Sequence, residues 1–297
     1  MQDFVLIGAL LAVATAIPLA WKWRLGVSRA ALVVALLGLA IGTILFAVSD
    51  WLPASIALRT GLLWALTLAA ALIITLYRFY RDPERKAPAR ADVIVSPADG
   101  EIIYVRKTRG GALPVTCKRG KNRMLLELTK TRLQTEDGIV VGIAMNFLDV
   151  HVNRAPISGR VSFQRHFPGQ FGSLRLPEMI FENERMTTLI ENSELQIAVV
   201  QIASRLVRQI ASFVQVGASV TQGQRIGVIR LGSQVDLVLP RREGLEVLVT
   251  PGARVRAGES LIAVLEKQSN EPAGKVLRSH VDNLFTSENG IEPGKTL

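Results

Sequence analysis

Three apolar runs open the chain. Phe4 to Trp21, Ala30 to Ser49 and Thr60 to Tyr77 carry almost no charge. Each is roughly 18–20 residues long, enough for a helix to cross the hydrocarbon core of a bilayer. No face of these runs is polar, which argues against buried helices of a soluble core. The N-terminus holds Asp3 and no Lys or Arg before the first run, unlike a secretory signal peptide. The pattern changes after Tyr80. Residues 81–91 are rich in charge and proline (Pro83, Pro88) and read as a linker. Beyond it the period is mostly two, with Gly-rich turns, which predicts short strands. Examples are Glu101 to Val105, Leu125 to Leu128, Val140 to Asn146, Gly159 to Phe163 and Gln196 to Ile202. Ser204 to Phe213 fits a helix or a strand equally. The predicted architecture is a mainly β (α+β) domain over 92–267, preceded by three transmembrane helices in 1–80. A polar tail, 268–297, is expected to be poorly ordered.

An internal echo refines the β domain. Val216 to Ile226 (VGASVTQGQRI) and Pro251 to Leu261 (PGARVRAGESL) both place glycines six apart, with Val between and an aliphatic residue after. Each reads as turn, short strand, turn, next strand. This resembles barrel-sandwich domains of the lipoyl and biotinyl type. Those carry their cofactor on a Lys at a hairpin tip, and none stands there, so a swinging-arm role is disfavoured.

Charge orients the spans. The first connection holds Lys22, Arg24 and Arg29. Asp50 and Arg59 cancel in the second. Arg78, Arg81, Arg85, Lys86 and Arg90 follow the third. The positive-inside rule places the first connection and everything after Tyr77 in the cytoplasm, with the N-terminus outside. Trp21, Trp23, Trp51, Tyr77 and Tyr80 stand at span ends, where amphipathic rings favour the interface. The chain of 297 residues is 49% hydrophobic, with a mean hydropathy of +0.30 that the three runs explain. Its net charge is +10, but residues 1–90 hold nine Lys/Arg against four Asp/Glu, half of the excess. Those cations suit an anionic lipid surface. Without a basic helix or an interleaved aromatic motif, nucleic acid is not expected as a partner. Cys117 is alone, as in a reducing compartment, and three His with one Cys show no metal-ligand spacing.

Polar residues inside apolar stretches mark candidate chemistry. Ser96-Pro97-Ala98-Asp99-Gly100 has turn composition. Asp149, His151, Asn153 and Arg154 interrupt a strand-like run from Phe147 to Pro156. Glu182-Asn183-Glu184-Arg185 reads by default as a solvated loop or helix start. From Ile229 to Pro240 both ends read as strand, yet Gly232-Ser233 sits in the middle, where a glycine weakens pairing.

Taken in order, VSPADGEI, FLDVHVNRAPISGRV, FPGQF, ENER and the run VVQIASRLVRQIASFVQVGASVTQGQRIGVIRLGSQVDLVLP resemble the phosphatidylserine decarboxylases, in particular their short type. The likeness covers most of residues 92–265 and leaves the three spans outside. It implies a proenzyme that cuts itself between Gly232 and Ser233 into chains 1–232 and 233–297, which stay associated. Ser233 would become a covalent pyruvoyl group, the cofactor. The substrate amine would form a Schiff base with it, lose CO2, take up a proton and leave as phosphatidylethanolamine. On this likeness His151 is the proton donor or base and Asp99 activates Ser233 or orients His151. Arg154 and Asn153 bind the substrate's phosphate or carboxylate. Two departures stand out. Longer members carry a second His where this chain has Arg154, which cannot act as a base. Gln234 follows Ser233 where the short type has Arg. The implied setting is a multi-pass protein of the inner (cytoplasmic) membrane, with a phospholipid substrate and its catalytic domain facing the cytoplasm. An archaetidylserine substrate and a non-enzymatic membrane adaptor are the alternatives.

Overall fold

The computed structural model describes residues 3–23, 25–52, 55–113, 123–135, 137–174, 176, 178–204, 209–229 and 233–266, with the backbone alone at Arg123 and Ser233. The tail 268–297, Gly232 and the centre of the 204–213 segment lie outside the described residues.

Three long helices, α1 (Asp3–Lys22), α2 (Val27–Ala47) and α3 (Ile56–Tyr80), occupy the apolar runs and are long and apolar enough to cross a membrane. They pack on one another through small residues. A Cβ at Gly38 would stand 2.9 Å from the Cβ of Ala9, and one at Gly8 2.8 Å from a methyl of Leu63. Such close approach lets helix backbones gain van der Waals contact where lipid offers no hydrophobic drive. Trp21, Trp51, Tyr77 and Tyr80 are exposed at the helix ends.

The rest is mainly β. The strands are β1 (Val93–Val95), β2 (Gly100–Lys107), β3 (Ala112–Leu113) and β4 (Arg123–Met124), then β5 (Gly138–Met145), β6 (Val152–Arg154) and β7 (Gly159–Phe167). After them come β8 (Arg185–Glu191), β9 (Gln196–Ile202), β10 (Ile210–Ser212), β11 (Ser219–Val220) and β12 (Arg225–Ile229). The last are β13 (Ser233–Pro240), β14 (Leu245–Val247), β15 (Arg254–Val255) and β16 (Leu261–Leu265). Two short helices, α4 (Leu125–Thr129) and α5 (Met179–Glu182), are interspersed. An eight-stranded antiparallel sheet runs β11-β7-β8-β9-β13-β5-β2-β15, and two three-stranded sheets run β1-β16-β14 and β10-β12-β6. One face of the large sheet closes on the small sheets through Ile143, Val235, Leu237 and Ile229. The other packs Val140, Val200 and Val238 under Leu125 of α4 and Phe181 of α5.

The glycine echo is one half of an approximate two-fold repeat. β1 and β2 pair with β16 and β15, as β6 and β7 pair with β12 and β11. The turn Pro97–Gly100 matches Pro156–Gly159, and the two clasp reciprocally. Arg154 N donates to Pro97 O at 2.9 Å, and Val95 N to Pro156 O at 3.0 Å. Gly217, Gly223, Gly252 and Gly258 all have φ between 76° and 92°, a region where a side chain is strained. Asp99 in one copy corresponds to Ser158 in the other, so the repeat is chemically asymmetric at this turn.

Three expectations change. Leu125 to Leu128 is helical. Arg185 and Asn183 of the charged cluster are buried, each 1% exposed. Ile229 to Pro240 is no single interrupted strand, because β12 and β13 belong to different sheets.

Candidate active site

Register brings the candidate residues to one end of the large sheet. Glu101, Ala144, Gln234 and Ile202 form a row across β2, β5, β13 and β9. Asp99 lies two residues before Glu101. Ser233, one residue beyond the row, pairs through its backbone with Met145. From Met145 the chain turns through 146–150 to His151, whose carbonyl accepts from Ile229 N at 3.1 Å. Ile229 ends β12 four residues before Ser233. The Gly232-Ser233 bond is therefore flanked on both sides by backbone tied to the His151 segment.

His151 is 3% exposed. Its Nδ1 lies 2.8 Å from the carbonyl oxygen of Asp149. A carbonyl only accepts, so Nδ1 carries the proton and Nε2 keeps its lone pair. Nε2 is buried with no hydrogen-bond partner among the described residues. Burial lowers the imidazole pKa, against the opposing pull of Asp149 and Asp99, which favours the neutral base. The Asp149 segment is itself held, with Asn146 N on Oδ2 at 2.7 Å and Arg254 Nη2 on Oδ1 at 2.8 Å.

Asp99 is 7% exposed and fully engaged. Ala257 N donates to Oδ1 at 2.8 Å and Val150 N to Oδ2 at 3.4 Å. Arg85, from the linker, grips both oxygens, with Nη2 to Oδ2 at 2.8 Å. A carboxylate so occupied is a fixed charge more than a free base. It sits beneath the amide just before His151. Gly100 is required next to it, because a Cβ there would collide with the carbonyl of Ala144.

Asn153 and Arg154 face inward. Asn153 accepts from Gln201 Nε2 at 2.8 Å and contacts Pro97 O. Arg154 donates to Gly223 O at 2.9 Å, Pro83 O at 2.9 Å and Asp82 at 3.2 Å. Only its Nε lacks a partner among the described residues. These donors tie the repeat and the linker together, and the substrate contact expected of both residues has little left to use.

Sequence reasoning missed several neighbours. Arg85 looked like one linker charge among many. Phe79, in the last turn of α3, looked like bilayer filler, yet its ring lies 4.7 Å from the His151 ring and 5.1 Å from Phe147. Trp23, after α1, stacks on Phe147 at 5.7 Å. Gln234, noted in the sequence only as a departure from the family beside the cut, is buried and donates to Tyr104 Oη and Asp236 Oδ1, both at 2.7 Å. No metal-binding cluster occurs among the described residues.

Comparison with known proteins bears on the family of the chain. The family model for phosphatidylserine decarboxylase matches residues 72–263, from the last turns of α3 to β16. A phosphatidylserine decarboxylase proenzyme of Pelodictyon phaeoclathratiforme is 39% identical over 206 residues, covering 68% of this chain and 86% of its own. A protein of Methanocaldococcus jannaschii, provisionally named an archaetidylserine decarboxylase proenzyme, is 38% identical over 201 residues, 68% of this chain and 94% of its own. A Ruegeria pomeroyi phosphatidylserine decarboxylase proenzyme is 37% identical over 216 residues, 72% and 90%. With the match running through every strand that carries the site, the chain belongs to the phosphatidylserine decarboxylase family.

Proposed function

We propose that this protein is a membrane-bound, self-processing decarboxylase that converts phosphatidylserine to phosphatidylethanolamine and CO2. One observation carries the reading: a buried neutral His151 whose Nε2 lone pair is free among the described residues, with its carbonyl bonded to Ile229 N, four residues before Ser233. A base so placed fits self-cleavage and the pyruvoyl group that follows from it.

His151 Nε2 takes the proton of the Ser233 hydroxyl. Oγ bonds to the Gly232 carbonyl carbon, the C–N bond breaks, and the proton goes to the freed nitrogen, leaving an ester. Removal of the Ser233 Cα proton then expels the Gly232 carboxylate from Cβ. Water converts the dehydroalanine so formed, with loss of ammonia, into the pyruvoyl end of chain 233–297. When present, that group supplies an electron sink for the pair left as CO2 departs. His151, protonated at Nε2, returns a proton to the substrate carbon. Arg154 cannot share this work, so His151 serves both steps. Asp99 favours the imidazolium through its charge and holds the segment through Val150 N. Asn153 and Arg154 act by positioning.

The two chains would remain joined, since β13 is hydrogen-bonded between β5 and β9 of chain 1–232. Trp23 and Phe79 both meet the β domain, which supports one membrane face for the first connection and the domain. The positive charges name that face cytoplasmic.

Intact mass of the purified protein tests the reading. Two species, 1–232 and 233–297, are expected, the smaller blocked at its N-terminus and reactive with hydrazine. A single full-length chain with no reactive carbonyl would overturn it. Phosphatidylserine vesicles should yield phosphatidylethanolamine, and turnover of an archaetidylserine alone would shift the substrate to the ether lipid.

A further inference from the structure

We propose that the C-terminal end of α3 and the segment after it are part of the catalytic site, through two positioning residues: Phe79 over His151 and Arg85 on Asp99. The inference rests on His151 being the base. An anchor needs only to be attached, and this one does more. Phe79 is 5% exposed although it sits at a membrane-helix end, because its ring is spent on the imidazole and on Phe147. Six residues on, Arg85 has a side chain only 6% exposed. It grips both oxygens of Asp99 and donates to Ala257 O at 2.8 Å.

The physical effect of each is specific. The Phe79 ring lies against the imidazole and adds to the burial that lowers its pKa. Arg85 sets the orientation of Asp99 and offsets its charge. The groups that act electrostatically on His151 are Asp149 from its own segment, Asp99 from the turn and Arg81 from the end of α3. Asp149 is partnered by Arg254, and Asp99 by Arg85. Removing the Phe79 cover relieves desolvation and raises the imidazole pKa. Removing Arg85 leaves Asp99 uncompensated and moves it the same way.

The test uses the full-length chain in detergent with Ser233→Ala, so that no cleavage occurs. Diethylpyrocarbonate modifies neutral imidazoles, and peptide mass spectrometry scores His151 against His166, whose side chain is 42% exposed. Phe79→Ala should raise the His151 rate by about tenfold or more relative to His166 and move its pH midpoint upward, as expected when a water-excluding cover goes. Phe79→Leu, which keeps an apolar cover, should stay near the parent. In the cleavable chain made by cell-free synthesis into nanodiscs, Arg85→Met should slow self-cleavage by about 10²-fold, the scale of a misplaced catalytic group. Its acid limb should move to higher pH, and Arg85→Lys should restore part of the rate. The Arg85 arm decides alone if Phe79→Ala gives no folded protein. His151 as protected in Phe79→Ala as in the parent, or Arg85→Met cleaving at the parental rate with an unmoved acid limb, overturns the inference while the parent still cleaves. A parent that never cleaves removes the base assignment first.

Discussion

Asp236 is a costly buried carboxyl, and replacing it should stabilise the protein. It is 0% exposed in the centre of the large sheet. Tyr104 Oη donates to both its oxygens at 2.8 Å and Gln234 Nε2 to one at 2.7 Å. Burial still pushes its pKa from 3.8 to about 6 despite those bonds and the charges of Arg185 and Arg106. The folded state thus holds this proton more tightly than the unfolded chain. Stability from this group is fully present below about pH 4 and is lost as pH rises through about 6. A shift of roughly two units is about 3 kcal/mol at neutral pH, at 1.36 kcal/mol per unit. Asparagine cannot ionise and keeps an acceptor for Tyr104 or Gln234. Asp236→Asn should therefore raise the melting midpoint at pH 7.5 by roughly 6–12 °C, on a scale of 2–4 °C per kcal/mol for a domain of this size. The gain should shrink as pH falls through about 6 and vanish only below about pH 4. The assay is thermal unfolding in detergent of the Ser233→Ala chain with and without the change, so that titration of His151 cancels. A difference that ignores pH, or a variant less stable at pH 7.5, would refute the reasoning.

Two further predictions concern the same sheet and its end. Gly142→Ala should cost about 1–3 kcal/mol, because its methyl would collide with the Tyr104 ring that caps Asp236, and the melting midpoint should show it. His151→Gln should leave the chain whole on a gel after expression, like Ser233→Ala, since general-base help is worth about 10²–10⁴-fold; a variant that both cleaves and decarboxylates normally removes His151 from the site.

Much of the molecule was legible from local pattern alone. The three spans follow from length and apolarity, because a bilayer demands little else of a helix. The strands Gly138–Met145, Gly159–Phe167 and Gln196–Ile202 follow from alternation or apolar runs that only a buried strand explains. The paired glycines at positive φ announce the repeat, since no other residue enters that region freely. His151, Asp99 and Ser233 stood out as polar residues within apolar or turn segments and through family likeness. What local pattern could not carry is long-range pairing. That β12 and β13 separate into different sheets is set by their partners β6 and β5, far away in sequence. Arg185 and Asn183 read as solvated because nothing near them in sequence shows the carbonyls and the amide that satisfy them in the interior. The sequence reads Arg154 as an anion receptor, and only the fold shows its Nη groups donating to Gly223 and the linker. Phe79 and Arg85 show the same limit: a bilayer-facing pattern and a charged linker are what their neighbours in sequence dictate. Only the docking of the helix end on the β domain turns one ring toward His151 and one guanidinium onto Asp99.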